Sequence, residues 1–399
     1  MNKYIKSLIL LLIIINVISI TGCWDNRNID DMSLIKGIAI DTVEETDRIK
    51  FTVQIVKPVP GEGGAEQQQG GGTNITETIS ATGYTLQDAG RNLIKQIGRR
   101  PYYGHNDIII VSDEIARKGI KPYLDFLLRN KEVRGRTGII IAKKSAAEIL
   151  ETPHYLEDVT ASGIKKMVNG VAESGTISGT NLIPFNMDII NQKTDAVTSF
   201  IELREGGPEE ETQSNQNNNQ NLVFASGGAV FKEDKFQGQF TRKEARGYNW
   251  VKNPEEIRGP ILVKTKSKKN ENEKRISIEI RETQSKIKPE IKENKLKIKI
   301  EINTRGFIHE EMPRDYDIME QENIDNLNKR FATVVNNEIL NTLKKSRQYQ
   351  ADVFGLAQAV DNKYPDKFKQ IKNEWDDIYL NIPVEINVKA TIKRTGMLD

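Results

Sequence analysis

Apolar and polar positions occur in blocks along the chain, and the spacing within each block predicts its secondary structure. Residues 33–42 and 48–58 are rich in β-branched side chains and flank the polar segment 43–47, which predicts a β-hairpin. A helix is predicted after Thr85, because threonine caps helix starts and apolar residues follow it at helical spacing. Those residues are Leu86, Ala89, Leu93, Ile94 and Ile97.

Short apolar strands alternate with short helices in the next part of the chain. Residues 108–111 predict a strand, residues 115–118 a helical turn that Gly119 ends, and Pro122 the start of another helix. Residues 137–150 repeat the order of strand followed by helix. This alternation predicts a sheet that is covered by helices.

Two polar tracts interrupt the apolar pattern. The glycine- and glutamine-rich residues 61–72 are interpreted as a loop, because they lack the strand, helix and lysine that accompany a phosphate-binding glycine loop. Residues 196–221, with "REGGPEEETQSNQNNNQN" at their centre, have too few apolar side chains to form a core. They are predicted to be a polar linker or long loop, and they mark the main boundary in the chain.

The second half of the chain predicts a sheet with helices on one side. Residues 222–240 predict two strands, and residues 276–302 alternate apolar and charged positions with unusual regularity. Their lysines could form a basic binding surface, but they alternate with acids and favour the solvated face of an antiparallel sheet. A long amphipathic helix and a final strand follow. The helix carries Ile324, Leu327, Phe331, Val334, Val335, Ile339 and Leu343, and the strand carries Val384, Ile386, Val388, Ala390 and Ile392.

The amino terminus has the layout of an export signal. Lys3 and Lys6 precede an apolar run at residues 8–20, and the small residues Thr21 and Gly22 come directly before Cys23. A membrane-spanning helix needs about 20 apolar residues, so a retained anchor helix is the weaker interpretation. The residues "ITGC" resemble the bacterial lipobox. Residues 1–22 are therefore predicted to be a lipoprotein signal peptide and Cys23 to be the site of lipid attachment, rather than a lone buried thiol.

Composition and charge give no sign of nucleic acid as a partner. The chain has a net charge of +2, and removing a signal with two lysines and no acids leaves a mature chain of net charge zero. Nucleic-acid binding calls for a basic face. With 29% charged and 37% hydrophobic residues, the composition is typical of a globular protein.

No catalytic, cofactor-binding or metal site is predicted from the sequence. His105, His154 and His309 have no spacing typical of a metal site, and a chain with one cysteine forms neither a thiolate metal site nor an internal disulfide. No nucleophile motif of the G-x-S-x-G type is present. Trp375 is interpreted as a partly buried helix residue. Trp24, with Asp25 and Arg27, is a candidate contact near the lipid headgroups, where indole rings prefer to lie.

Five segments together resemble the Ger(x)C family, the lipoprotein C subunits of nutrient germinant receptors in endospore-forming bacteria. They occur in order from the lipobox almost to the carboxyl terminus. They are "CWD" at Cys23, "IKGIAIDT", "GHNDIIIVSDEIARKGIKPYLDFLLRNKEVR", "ARGYNWV" and "VKATIKRTG".

The resemblance implies a subunit that is not an enzyme. It implies a lipid-anchored protein on the outer face of the inner spore membrane, beside two integral membrane partners, the A and B subunits. It also implies three domains, whereas the residue pattern alone gives two halves. The α+β fold is therefore expected to comprise two to three domains, each a β-sheet packed by helices. The expected units are an N-terminal α/β domain (23–195), the linker (196–221), a middle domain (222–270) and a C-terminal α+β domain (271–399). The alternative is a lipid-anchored solute-binding protein that binds the nutrient itself between two domains.

Overall fold

A computed structural model describes residues 3–5, 7–9, 31–57, 75–205, 221–266, 273–293, 295–311 and 321–393. Within these residues the protein is α+β, with two β-sheets that are each packed by helices. This confirms the predicted fold class. Most of the predicted signal peptide, Cys23 and the tract at 61–72 lie outside the described residues.

The first sheet contains ten strands within the described residues. They are β1 (Met32–Thr42), β2 (Ile49–Val56), β3 (Thr76–Gly83), β4 (Arg100–Tyr102), β5 (Ile108–Ser112), β6 (Gly138–Ala142), β7 (Thr180–Asn181), β8 (Val197–Glu205), β9 (Asn221–Lys232) and β10 (Lys235–Phe240). Their order is β10-β9-β8-β6-β5-β1-β2-β3, with β4 beside β1 and β7 beside β6. The central strands β1, β5, β6 and β8 are parallel, and the outer pairs β1–β2, β2–β3, β8–β9 and β9–β10 are antiparallel.

Helices cover both faces of this sheet. The helices are α1 (Leu86–Ile97), α2 (Asp113–Lys118), α3 (Lys121–Arg129), α4 (Ala146–Glu151), α5 (Thr160–Glu173) and α6 (Leu182–Ile190). Ile109 and Val111 of β5 pack with α1, α2, α3 and α6, whereas Ile108 and Ile110 pack with α4 and α5. Successive strand residues point to opposite faces, so a sheet buried on both sides needs the continuous apolar run that β5 has.

The local predictions for this region are confirmed. β1 and β2 form the antiparallel hairpin, the Thr85 hydroxyl caps α1 by accepting a hydrogen bond from the main-chain N–H of Asp88, and Gly119 ends α2. Ile94 was expected on the apolar face of α1, but 43% of its surface is exposed. It lies at the margin of the apolar stripe, beyond the buried positions of Leu86, Ala89 and Leu93.

The prediction of a polar linker over 196–221 is wrong for residues 197–205, which form the mostly buried strand β8. Polar residues in this strand hid its burial from the sequence pattern. Thr198 and Ser199 are fully buried, and their hydroxyl groups donate to the main-chain carbonyls of Ile139 and Ser178. Because a hydroxyl that is satisfied in this way can be buried at little cost, the strand does not show an apolar run.

The second sheet is formed by β11 (Pro260–Lys266), β12 (Glu273–Lys292), β13 (Lys295–Glu311) and β14 (Val384–Lys393), in that order. The first two pairs are antiparallel, and β13 and β14 are parallel. The isoleucines at 276, 278, 280, 298, 300 and 302 are buried, as predicted. Lys288 pairs with Glu301, and Lys299 with Glu290. These pairs support the interpretation of a solvated outer face.

Five helices accompany this sheet in the described part of the chain. They are α7 (Arg242–Lys252), α8 (Gln321–Gln348), α9 (Leu356–Lys363), α10 (Pro365–Ile371) and α11 (Trp375–Asn381). The predicted long helix is confirmed as α8. One core joins these helices to the isoleucines of the second sheet and also includes Val197, Val230 and Phe240 from the first sheet. The strands of residues 222–270 are divided, because β9 and β10 join the first sheet and β11 joins the second. The division between the two sheets therefore does not coincide with the predicted domain boundaries at 195 and 270.

Candidate functional site

The predicted lipid-attachment site, Cys23, lies outside the described residues, as do Trp24, Asp25 and Arg27. Lipid attachment therefore stays a prediction. In the part of the chain that the structure describes, no helix is both long enough and apolar enough to span a bilayer.

The three histidines lie on separate elements. His105 lies in a short 3-10 helix beside the ring of Tyr102, His154 stacks on Tyr155 with ring centroids 5.3 Å apart, and His309 lies on β13 with its Nδ1 atom 3.3 Å from a Glu279 carboxylate oxygen. No group of three or more His, Cys, Asp or Glu side chains within the described ranges is arranged to hold a metal ion. The structure thus brings none of these residues together into a site.

Trp375 takes part in a buried polar junction between the two halves of the chain. Its side chain is 6% exposed, and its Nε1 donates to a carboxylate oxygen of Asp352 (3.2 Å). The same carboxylate accepts the main-chain N–H groups of Leu356 and Ala357, both at 2.8 Å, at the start of α9. A carboxylate in this position satisfies helix N–H groups that have no partner within the helix.

Asp195, directly before β8, joins this junction to the first sheet. Its carboxylate accepts the main-chain N–H of Asp352 (2.7 Å), and its own main-chain N–H donates to the Asp352 carbonyl (3.1 Å). Its other oxygen accepts the N–H of Glu233, in the turn between β9 and β10. The Lys232 ammonium nitrogen lies 3.5 Å from a carboxylate oxygen of Asp195 and 2.8 Å from a carboxylate oxygen of Asp376. The junction therefore fixes the last strands of the first sheet against α9 and α11.

The Asp352→Asn substitution is expected to flatten the pH dependence of stability. Burial raises the pKa of Asp352 from 3.8 to about 6, although the N–H donors of α9 oppose the shift. Because the folded-state pKa lies above the unfolded value, this carboxyl favours folding below pH ~4, and that contribution is lost as the pH rises through ~6. The wild type should lose about 3 kcal/mol more than the variant between pH ~3 and ~7. Urea unfolding across this range measures the difference, and parallel profiles would contradict the prediction.

One cavity has the size and chemistry of a small-molecule site. It has a volume of about 350 Å³ and lies between α5, β6, β7 and the loop that follows α7. Ile108, Ile139 and Ile140 supply apolar surface. Polar and charged groups also line it: Lys165, Asn169, Asn181, Glu255, Glu256 and Arg258.

The cavity presents both signs of charge. Lys165 and Arg258 could bind a carboxylate, and Glu255 and Glu256 could bind an ammonium group. Partial burial raises the pKa of Glu256, although the residue as a whole is exposed. A volume in the lower part of the range for ligand sites, with opposite charges on its walls, fits a small zwitterion such as an amino acid. The sequence does not predict a site at any of these residues, because they come from five separate segments and form no motif.

This chain is similar to known spore germination proteins along nearly its whole length. Residues 25–203 match the family model "Spore germination protein N-terminal domain", and residues 226–396 match "Spore germination B3/GerAC like, C-terminal". Two relatives are from Bacillus subtilis (strain 168). The putative spore germination protein YfkR is 25% identical, covering 100% of this chain and 98% of the relative, and spore germination protein KC is 23% identical, covering 98% and 96%.

A solved structure shares the fold. The crystal structure of the GerBC protein matches with a TM-score of 0.54 at 18% sequence identity, covering 89% of this chain and 96% of that one. The chain thus has the two family domains in their expected order and the fold of a spore germination protein.

Proposed function

Because this chain belongs to the GerAC-like family of spore germination proteins, we propose that it is a lipid-anchored, non-enzymatic subunit of a nutrient germinant receptor. The observation that carries the proposal is that both family models match, in order, over residues 25–203 and 226–396. The lipobox-like sequence before Cys23 supports the anchor.

In this proposal the protein works by contacts with other receptor subunits. Lipid at Cys23 holds it on the outer face of the inner spore membrane, because a diacylglyceryl group brings at least two acyl chains and gives stable anchoring. Two integral membrane partners, the A and B subunits, lie beside it. Docking of this subunit on them helps to convert nutrient binding into germination.

Removal of the protein from spores tests this role. Spores that lack it should fail to germinate with the nutrient of its receptor, and they should germinate normally with an agent that bypasses receptors. Restoring the wild-type chain should restore the nutrient response. A deletion that leaves every nutrient response unchanged would contradict the proposal.

The 350 Å³ cavity favours a second candidate function, direct binding of a nutrient germinant. In that case the mature chain should bind one germinant amino acid saturably in calorimetry. Replacing both Lys165 and Arg258 with alanine should abolish binding, because the ligand's carboxylate would lose both cations. The matched control is Lys372→Ala, at an exposed position that does not line the cavity. No heat of binding with any common germinant would reject this candidate.

A further inference from the structure

A second and larger concave surface lies between α7, α8 and β11. This basic cleft has a volume of about 1100 Å³, and its α8 wall extends from Arg330 to Gln348. With a rise of 1.5 Å per residue, that wall is about 27 Å long. The cleft is therefore an elongated groove whose length matches about eight residues of extended polypeptide.

Positive charge dominates the cleft. In the described part of the chain, eight cationic side chains and two carboxylates line it, and the cations include Arg242, Lys243, Arg330, Lys344 and Lys345.

Both carboxylates already have partners within the protein. Glu338 accepts hydrogen bonds from Arg246 and from Trp250 Nε1, and Glu244 accepts from the main-chain N–H of Thr241 at the start of α7. With Arg246 paired to Glu338, the charged groups that remain in the described lining are seven cations and the carboxylate of Glu244.

Arg242, at the start of α7, shows how closely the cations are grouped. Burial and the neighbouring guanidinium groups of Arg204 and Arg246 lower its pKa, so the nearby charges oppose its own. Arg204 and Arg242 both face the ring of Phe224, with their Cζ atoms 4.0 Å and 5.7 Å from its centroid. Arg204 pairs with Glu202 and Arg246 pairs with Glu338, so an anionic ligand at this end of the cleft would act mainly on Arg242.

We propose that the basic cleft binds an acidic, extended segment of a partner protein. The inference rests on the proposed receptor-subunit function, for which it supplies a docking surface. Complementary charge gives specificity and fast association, and the concave shape suits a polypeptide better than the flat surface of a bilayer. Leu262, which is 57% exposed on the β11 side, adds apolar surface, and Thr333, Asn337 and Asn341 supply hydrogen-bonding groups along α8.

The test uses the full mature chain, lipidated and held in detergent micelles. The probe is a fluorescein-labelled glutamate peptide of about ten residues, and the control peptide is glutamine of the same length. Fluorescence anisotropy should show saturable binding of the glutamate peptide, weakened by salt, and no binding of the glutamine peptide.

A charge-reversal pair locates the binding surface. Lys344→Glu with Lys345→Glu should weaken peptide binding by at least about tenfold, because both cations line the cleft. Lys369→Glu with Lys372→Glu makes the same change in net charge at exposed positions outside the cleft and should leave affinity within about twofold. Absence of binding, or equal loss in both variants, would overturn the proposal. If the cleft variant instead lost only the binding of soluble short-chain phosphatidylglycerol, the cleft would be a lipid headgroup site and the proposal would be wrong.

Germination separates this inference from the function on which it rests. Spores with Lys344→Glu and Lys345→Glu at normal abundance should lose nutrient-triggered germination, and the control pair should retain it. If the cleft variant germinates normally while deletion of the protein abolishes the nutrient response, the docking surface is wrong and the receptor role stands. If the deletion also has no effect, the receptor role itself is wrong.

Discussion

Replacing Glu338 with alanine is expected to destabilise the folded protein by about 3–5 kcal/mol. Glu338 on α8 accepts hydrogen bonds from two residues of α7: the Arg246 guanidinium, with Nε at 2.9 Å, and the buried Trp250 indole, with Nε1 at 2.9 Å. The side chains of Arg246 and Glu338 are only 13% and 8% exposed. Without the carboxylate, the buried guanidinium and indole N–H groups lose their acceptor, and most of the loss in stability comes from this change.

Urea unfolding followed by tryptophan fluorescence measures this loss. The control is Glu282→Ala, which removes an exposed ion pair with Arg305 and should change the free energy of unfolding by less than about 1 kcal/mol. A Glu338→Ala variant as stable as this control would contradict the importance of the contact between α7 and α8.

Gly247→Ala is expected to lower the free energy of unfolding by about 1–3 kcal/mol, because α7 packs closely against α8 at this glycine. A β-carbon on Gly247 would meet the hydroxyl of Thr342 and the main-chain carbonyl of Glu338 at distances that force the helices apart. The Thr342 hydroxyl also donates to the Glu244 carbonyl of α7, at 2.7 Å. The same methyl group would therefore strain a hydrogen bond between the helices.

Gly90→Ala is the matched control for this substitution. Gly90 also lies within a helix, but no atom is within 4 Å of the place where its β-carbon would be. Alanine should therefore stabilise α1 by up to about 1 kcal/mol through its higher helix propensity. Opposite signs for the two variants, measured by urea unfolding, are the expected result. Equal effects would show that Gly247 is not needed for close packing.

Much of the fold could be predicted because its signals are local. The signals are the Thr85 cap, Gly119 at the end of α2 and the apolar stripe of α8, and each is set by spacings of three or four residues within one helix. Strand β8 could not be predicted in this way. Thr198 and Ser199 are buried there only because carbonyl groups from other segments accept their hydroxyl hydrogens.

The candidate sites depend on contacts between distant segments, and the sequence gives little signal for them. Lys344 and Lys345 look like part of the solvated face of an amphipathic helix, and they line a basic cleft only because α7 and β11 pack beside α8. In the same way, the pattern that predicts a partly buried Trp375 gives no sign of its hydrogen bond to Asp352, which lies in the loop between α8 and α9. Cys23 is the opposite case, because the apolar run and small residues that predict lipid attachment there precede it directly.

The most direct test of a lipid-anchored receptor subunit is nutrient-triggered germination of spores that carry Cys23→Ala. Immunoblots should first confirm that the variant is present in spores and has lost its lipid, by its transfer from the detergent phase to the aqueous phase. Such spores should fail to respond to nutrients and respond normally to an agent that bypasses receptors. An unchanged nutrient response, with the unlipidated protein present at normal abundance, would contradict the central claim that this subunit works through its lipid anchor.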